Sequence, residues 1–434
     1  MATTKAATFS EMLNEYLVYS SILTEEFRDQ NWLLQNANHN PNWQGGKLIV
    51  PWQQAMPSSI MMGGLTPDAD INTGKYVRGF LDGYKEAYGS IYFNSRDLFD
   101  HGKLSEQNFL KLLPDQLDDL MKLFKQTVSI QVLGGPWLDT VAATTVVATD
   151  DLRVNHPERF SIGMKITITD GVLTASGFIR QIDKNTGALV VTNNANDAII
   201  PANLVDIATL VVADGKIYIE GGLTTSFGSL RSMLLPLAQG GSDTFANKPK
   251  AESPFAQSVL YDAGGAVANS GDWNAEVLKY DKVLDLIFDA MRKGYQRGAI
   301  PRVFIMSYKH YSAALKTLEK GSGAYKNIKP SVTYAGYSEM EVGGVQGSCK
   351  LVAIREMNDD WIAGIDTKYL DWHTGKRPFQ LMKSPDGLSY FTKRATTGYT
   401  YIADIMLAGD FLYRAPWSAV AIYNLPDYKF NTLT

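Results

Sequence analysis

Apolar residues recur at helical spacing in some stretches of the chain and at every second position in others. Near the N-terminus Thr8 and Glu11 stand three apart, as in a capping box. Met12, Leu13, Tyr16, Leu17, Leu23 and Phe27 then follow at roughly helical intervals, which predicts an amphipathic helix to Arg28. The run from Asn36 to Trp43, rich in Asn with one Pro, breaks any regular element after it. A second helix is predicted from the cap Ser105. Phe109, Leu112, Leu113, Leu117, Leu120, Met121, Phe124 and Val128 mark its stripe as far as Leu133, with a kink or fresh start at Pro114. At the rise of an α-helix such an element reaches roughly 40 Å.

Between these helices, Gly45 to Gly102 carries glycines, prolines and scattered aromatics with little period. Lys47–Trp52 reads as a short strand and Tyr84–Phe93 as the returning strand of a long hairpin. A loop-like tract with Met56-Pro57, Met61-Met62 and Thr66-Pro67-Asp68 separates them. A two-stranded arm is marginal alone, so its apolar side chains are expected to find partners on other chains. The intersubunit contact candidates are Trp43, Trp52, Met56, Met61, Met62, Phe80, Tyr84, Tyr88 and Tyr92. Phe93 belongs to the same run, with packing beneath its own loop the better reading.

After Trp137 the pattern turns to alternation. Met164–Thr169, Phe178–Ile182, Ala188–Thr192 and Lys216–Ile219 are short strands separated by Asp- and Gly-bearing turns, which predicts a small all-β module over 141–222, a barrel or a sandwich. From Leu223 the chain reads as mixed α/β: a helix over Asp281–Arg297, a buried strand over Arg302–Ser307, and a helix through Tyr311, Leu315 and Leu318 stopped by Gly321 and Gly323. Strand-like pieces follow at Cys349–Ile354, Trp361–Ile365, Phe379–Met382 and Ala419–Tyr423, while Tyr399–Phe411 fits either helix or strand. The fold class is α+β.

Composition narrows the functional classes. The 434 residues carry 41 Lys and Arg against 45 Asp and Glu, a net charge of -4 that gives no support to whole-surface nucleic-acid binding. Cys349 is the single cysteine, which excludes an intrachain disulfide and a Cys-rich zinc site. No secretory signal is visible at the N-terminus, and no apolar run is long enough for a membrane span.

Catalytic patterns are weak throughout. His39, His101, His156, His310 and His373 are dispersed, none at HExxH spacing. Gly134-Gly135-Pro136 lacks the Lys-Ser/Thr of a phosphate loop, Gly221-Gly222 opens no dinucleotide fingerprint, and Gly321-Ser322-Gly323 follows a helix, the wrong order for a nucleophile elbow. Asp118-Asp119 and Asp359-Asp360 read as solvated carboxylates. Asp170, Asp183, Asp197 and Asp206 form no EF-hand loop and read as turn residues, although a calcium ion could draw them together. No catalytic, cofactor-binding or metal-binding residue is assigned, and the chain reads as a structural protein and not an enzyme.

The order of elements is more specific than any motif. It resembles the major capsid proteins of tailed double-stranded DNA bacteriophages, with the Hong Kong 97-type fold. The carriers are the run Tyr84–Phe93, the helix Ser105–Leu133, the segment Tyr280–Leu318 with its Arg302–Ser307 strand, and the ending Tyr401–Tyr423. The resemblance implies an N-terminal arm over 1–42, an extended loop over 43–102, a spine helix and peripheral domain over 103–140, the β-rich insertion over 141–222, a mainly axial α/β domain over 223–400, and a C-terminal segment over 401–434 that returns to the core. It implies self-assembly into the pentamers and hexamers of an icosahedral shell in the virion, built in the host cytoplasm around double-stranded DNA. Implied partners are further copies of the chain, scaffolding and portal proteins and a decoration protein, with no cofactor and no membrane. Some relatives crosslink a loop Lys to an Asn of another subunit; Lys75 and Lys85 with Asn358 would be the residues here, and non-covalent locking is the expectation. Another virion structural protein, of decoration or tail type, is the alternative, and a carbohydrate-active enzyme the rival from another class.

Overall fold

The computed structural model describes residues 32–43, 46–53, 76–81, 83, 85–94, 119–120, 122–142, 152–195, 197, 199, 204–205, 215–222, 226–263, 282–320, 330–332, 338–344, 347–382, 392–393 and 400–425. The predicted N-terminal helix to Arg28, the tract 54–75 and the first part of the predicted spine helix lie outside them.

In chain order the short helix α1 (Trp32–Asn36) leads to β1 (Asn38–Asn40), β2 (Leu48–Gln53), β3 (Tyr76–Leu81) and β4 (Lys85–Asn94). Helix α2 covers the described residues 119–120 and 122–134. It is followed by β5 (Asp139–Thr140), β6 (Leu152–Arg153), β7 (Lys165–Thr169), β8 (Thr174–Ile182), β9 (Ala188–Thr192) and β10 (Lys216–Ile219). Then come α3 (Leu230–Leu234), β11 (Thr244–Phe245), β12 (Lys248–Pro249), β13 (Val259–Asp262), α4 (Lys282–Gln296), β14 (Val303–Met306) and α5 (Tyr308–Lys320). The remainder is β15 (Pro330–Val332), β16 (Ser338–Gly344), β17 (Gly347–Ala353), β18 (Trp361–Ile365), β19 (Leu370–Leu381), β20 (Thr392–Lys393), β21 (Thr400–Tyr413) and β22 (Val420–Tyr423). The result is a mixed α+β fold of two compact units.

One unit comprises Met1–Tyr84, Leu230–Phe379 and Ala408–Thr434. Its centre is a seven-stranded sheet in the order β13-β22-β18-β14-β17-β16-β15. β13 with β22 and β14 with β17 run parallel, and the other neighbours run antiparallel. Every residue of β14 and β18 is buried, which explains their unbroken apolar sequences: a strand closed to water on both faces needs no polar alternation. Val283, Leu284, Ile287 and Met291 of α4 and Tyr311 and Ala314 of α5 pack with Phe304, Leu351, Ile362 and Val420 in this core.

The other unit comprises Lys85–Ser229 and Gln380–Leu407. Its antiparallel sheet runs β5-β10-β7-β8-β9-β6. The two edge strands meet: Val141 bridges Val154, and the Ala142 N–H donates to the Arg153 carbonyl at 2.7 Å. The sheet therefore curls into a small closed barrel, and closure removes the free edges of an open sheet. Alternate residues point inward, so Ile166, Ile168, Ile179, Leu189, Val191 and Ile217 form the core, joined by Ile130 of α2 and Leu138. The module is thus seated on α2 and begins before residue 141. A register shift between Ile179 and Gln181 bends β8 as the sheet closes.

Three readings from the sequence change. The returning strand of the hairpin is β3, and the run Tyr84–Phe93 is instead β4, which pairs with β21. Gly89 fixes that placement, because a Cβ there would lie 2.7 Å from the Phe124 ring and 2.8 Å from Leu120, so only glycine lets β4 approach α2 so closely. Of the ambiguous stretch Tyr399–Phe411, the residues from Thr400 on are strand, within β21, and Phe379–Leu381 is the end of the longer β19.

Candidate functional site

The β2–β3 hairpin pairs antiparallel along its whole described length, from Leu48 opposite Leu81 to Gln53 opposite Tyr76. Alternation gives it two unlike faces. Val50 is buried, whereas Ile49, pointing the other way, is 58% exposed and Pro51 is exposed. The Lys47 ammonium lies 4.5 Å above the half-buried Phe80 ring.

The root of the hairpin is seated on the β11–β12 turn. Ala246 and Asn247 both adopt left-handed backbone, with φ of 46° and 59°, the conformation that a two-residue hairpin turn demands. The Ala246 carbonyl accepts the Phe80 N–H at 2.9 Å, and the Asn247 amide donates to the Phe80 carbonyl at 3.1 Å. Contact is close because position 79 is glycine: a Cβ there would stand 2.8 Å from both Cβ and O of Ala246. Lys250 braces this turn from behind. It is buried, its Nζ donates to the carbonyls of Ser232 at 2.7 Å and Leu235 at 2.9 Å, and burial pulls its pKa down to about 8.

The segment that leads into the hairpin is strapped to β19. β1 runs parallel to it, with Asn38, His39 and Asn40 opposite Asp371, Trp372 and His373. His39 stacks on Trp372 at 4.9 Å and its Nε2 meets Thr374 Oγ1 at 2.8 Å. The Trp43 N–H donates to the Thr374 carbonyl at 3.2 Å, and its indole N–H donates to the Gly46 carbonyl at 2.7 Å.

The contact candidates from the sequence separate accordingly. Trp43 is 8% exposed, with its ring edge-on to His373 at 6.3 Å. Phe80 is half-buried at the hairpin root. Tyr88 is 56% exposed on β4, where its O–H bonds Glu86. Trp52 belongs to β2 and Tyr92 and Phe93 to β4. Met56, Met61, Met62 and Tyr84, like Lys75 of the crosslink pairing, lie outside the described residues. Sequence reasoning passed over Ile49, whose outward aim follows from strand alternation once the pairing is known. It also passed over the Ala246-Asn247 turn, which lacks the Asn-Gly or Asp-Gly signature.

The titratable groups set aside as non-catalytic have local roles. Asp170 Oδ1 accepts the N–H groups of Val172 and Leu173, Asp183 accepts from Asn185 and Thr186, and Asp197 accepts from Asn194. These bonds to the Thr186 hydroxyl and the backbone hold the Asp183 carboxyl below its ordinary value. Asp206 lies outside the described residues. Asp360 pairs with Arg231 at 2.6 Å, and Asp119 with Lys122 at 3.4 Å. Cys349 is buried beside Met291, and burial pushes its thiol up to about 12. Among the described residues no three His, Cys, Asp or Glu side chains stand where they could hold a metal ion, and no helix is long and apolar enough to cross a membrane.

No family model and no curated protein matches the chain. Solved structures similar to it include the capsid of the native GTA particle, at 9% identity and a TM-score of 0.41, covering 91% of this chain and 90% of that one. The cyanophage A-1(L) capsid matches at 12% identity and a TM-score of 0.41 over 90% and 91% of the two chains. The holo-SrpI encapsulin complex from Synechococcus elongatus PCC 7942 matches at 7% identity and a TM-score of 0.39 over 93% and 90%. Likenesses at these scores decide no function.

Proposed function

We propose that this chain is a major capsid protein, a structural subunit that assembles with further copies of itself into the pentamers and hexamers of an icosahedral phage shell around double-stranded DNA. The observation that carries the reading is the β2–β3 hairpin, seated at its root by Ala246 and Asn247, with Ile49 turned outward from its own chain. Two strands alone bury too little to be stable in water, and an outward apolar face on them suits a partner's surface. The order of elements supports the same reading. The hairpin and the tract 54–75 would be the extended loop, α2 the end of the spine, and the seven-stranded sheet with α4 and α5 the axial domain. The barrel would be an insertion. Function is then geometric: one fold makes slightly different contacts in pentamers and hexamers, locked without covalent bonds.

Negative-stain microscopy and sedimentation of the expressed chain, alone and with a scaffolding protein, test this. Shells, capsomers or tubes are the expected particles. Ile49→Asp and deletion of Met56–Asp70 should each lower their yield at least about tenfold, while the thermal midpoint of the subunit moves by no more than the few degrees typical of a surface change. A persistent monomer, or equal loss of folding and assembly in both variants, overturns the proposal.

A further inference from the structure

His373 stands out among the buried polar groups. It is 7% exposed, and neither ring nitrogen has a hydrogen-bond partner among the described residues. A buried polar side chain left in this state costs free energy. Its surroundings are defined on each side. Asp371, on the same face of β19, has Oδ2 3.8 Å from His373 Nε2, beyond hydrogen-bond length. That carboxylate is already engaged by the Arg414 guanidinium, which follows β21. From β21 itself Gly409 comes against the His373 carbonyl, and from the strap Trp43 lays its ring edge-on to the imidazole. His39 on β1 is occupied by Thr374.

We propose that His373 is a proton-operated latch: neutral, it lets the strap Asn38–Trp43 close over β19, and protonated, it releases the strap. The imidazolium formed beneath Trp43 would be a buried cation whose nearest carboxylate is neutralised by Arg414, so the closed strap cannot accommodate it cheaply. Opening lets water solvate the charge. Burial holds the His373 pKa below the ordinary imidazole value; the Asp371 charge opposes it, and the Arg414 charge adds a smaller push downward. The direction follows by linkage. The open form takes up the proton near the ordinary value of about 6.5, the closed form only at lower pH, so the closed strap is fully favoured above about 6.5 and loses its advantage as pH falls through the closed-state value. Because Trp43 precedes β2 in the chain, release loosens the entry to the hairpin. The latch is a property of the chain's own fold and does not depend on the shell reading.

Hydrogen–deuterium exchange of the full chain between pH 7.5 and 5, corrected for intrinsic exchange chemistry, tests it. Peptides covering 32–43 should open up to about tenfold more per pH unit below about 6.5, while β14 and β18 stay protected. His373→Phe, which cannot titrate, should abolish that slope, and His373→Gln serves as the second variant should Phe disturb folding. A flat wild-type profile overturns the latch, and so does an acid slope retained in either folded variant.

Discussion

The barrel and the β2–β3 hairpin are both built from short antiparallel strands, yet they meet the problem of sheet edges in opposite ways. The barrel joins its edge strands through Val141 and Val154 and fills its interior with its own isoleucines, valines and leucines. The hairpin has two strands, with Val50 buried and Ile49 outside, and it is seated on a turn from a distant part of the sequence. Alternation is present in both. On the proposed reading, what differs is whether the outward strand residues face water or a partner's surface. Thr167 and Ser176 pair across the outer surface of the barrel, whereas the hairpin shows an isoleucine there.

The contrast can be broken most strongly inside the barrel. Ile166→Ala, at a fully buried core position, should cost about 2–5 kcal/mol in urea unfolding, because the closed wall cannot collapse around the lost volume. A cost under about 1 kcal/mol would mean that the barrel core is not close-packed. The next effect is at the hairpin root, where Gly79→Val would drive a side chain into Ala246. A loss of about 1–3 kcal/mol is expected, read as faster hydrogen exchange in β2 and β3 with the barrel unchanged. Unchanged exchange in those strands would show that the turn does not hold the hairpin. A third effect, at most about 1.4 kcal/mol in any one pH unit, sharpens the comparison through pH. Lys250 sits at about 8 in the fold against about 10.4 when unfolded, so its contribution to stability is full above the higher value and is lost as pH falls through about 8. Wild-type stability relative to Lys250→Met should therefore rise by up to about 1.4 kcal/mol per pH unit between those values. Parallel urea midpoints at pH 8 and 10 would refute this.

Much of the fold was legible because local pattern and final environment agree. The helix over Asp281–Arg297 and the strands around Phe304, Leu351, Ile362 and Ile422 carry apolar residues in runs that suit a sheet closed on both faces, and they form those elements. The alternation after Trp137 found the barrel, whose inward positions follow the same period. The site was less legible. Tyr84–Phe93 has the composition of a strand, but composition does not name a strand's partner, and β3 lay closer in sequence to β2 than the pattern suggested. Trp43 stands at the end of an Asn-rich run, and its burial comes from β19, far along the chain. His373 gave no signal at all, since an isolated histidine in an alternating run is indistinguishable from a surface one until its neighbours are known.

The sequence by itself determined which stretches are helical or extended and which faces are apolar, because those follow from residue spacing over a few turns or a few pleats. It also determined that the run after Trp43 is too short of apolar period to make a core of its own. Only the tertiary structure decided pairing and neighbourhood: that β3 closes the hairpin, that Ala246 and Asn247 seat it, that Ile49 is left outward, and that an imidazole without a hydrogen-bond partner among the described residues lies beneath the strap at its entry. Hydrogen bonding between strands is blind to side-chain identity, so register and partner are chosen by long-range burial. That burial exists only once distant segments have met.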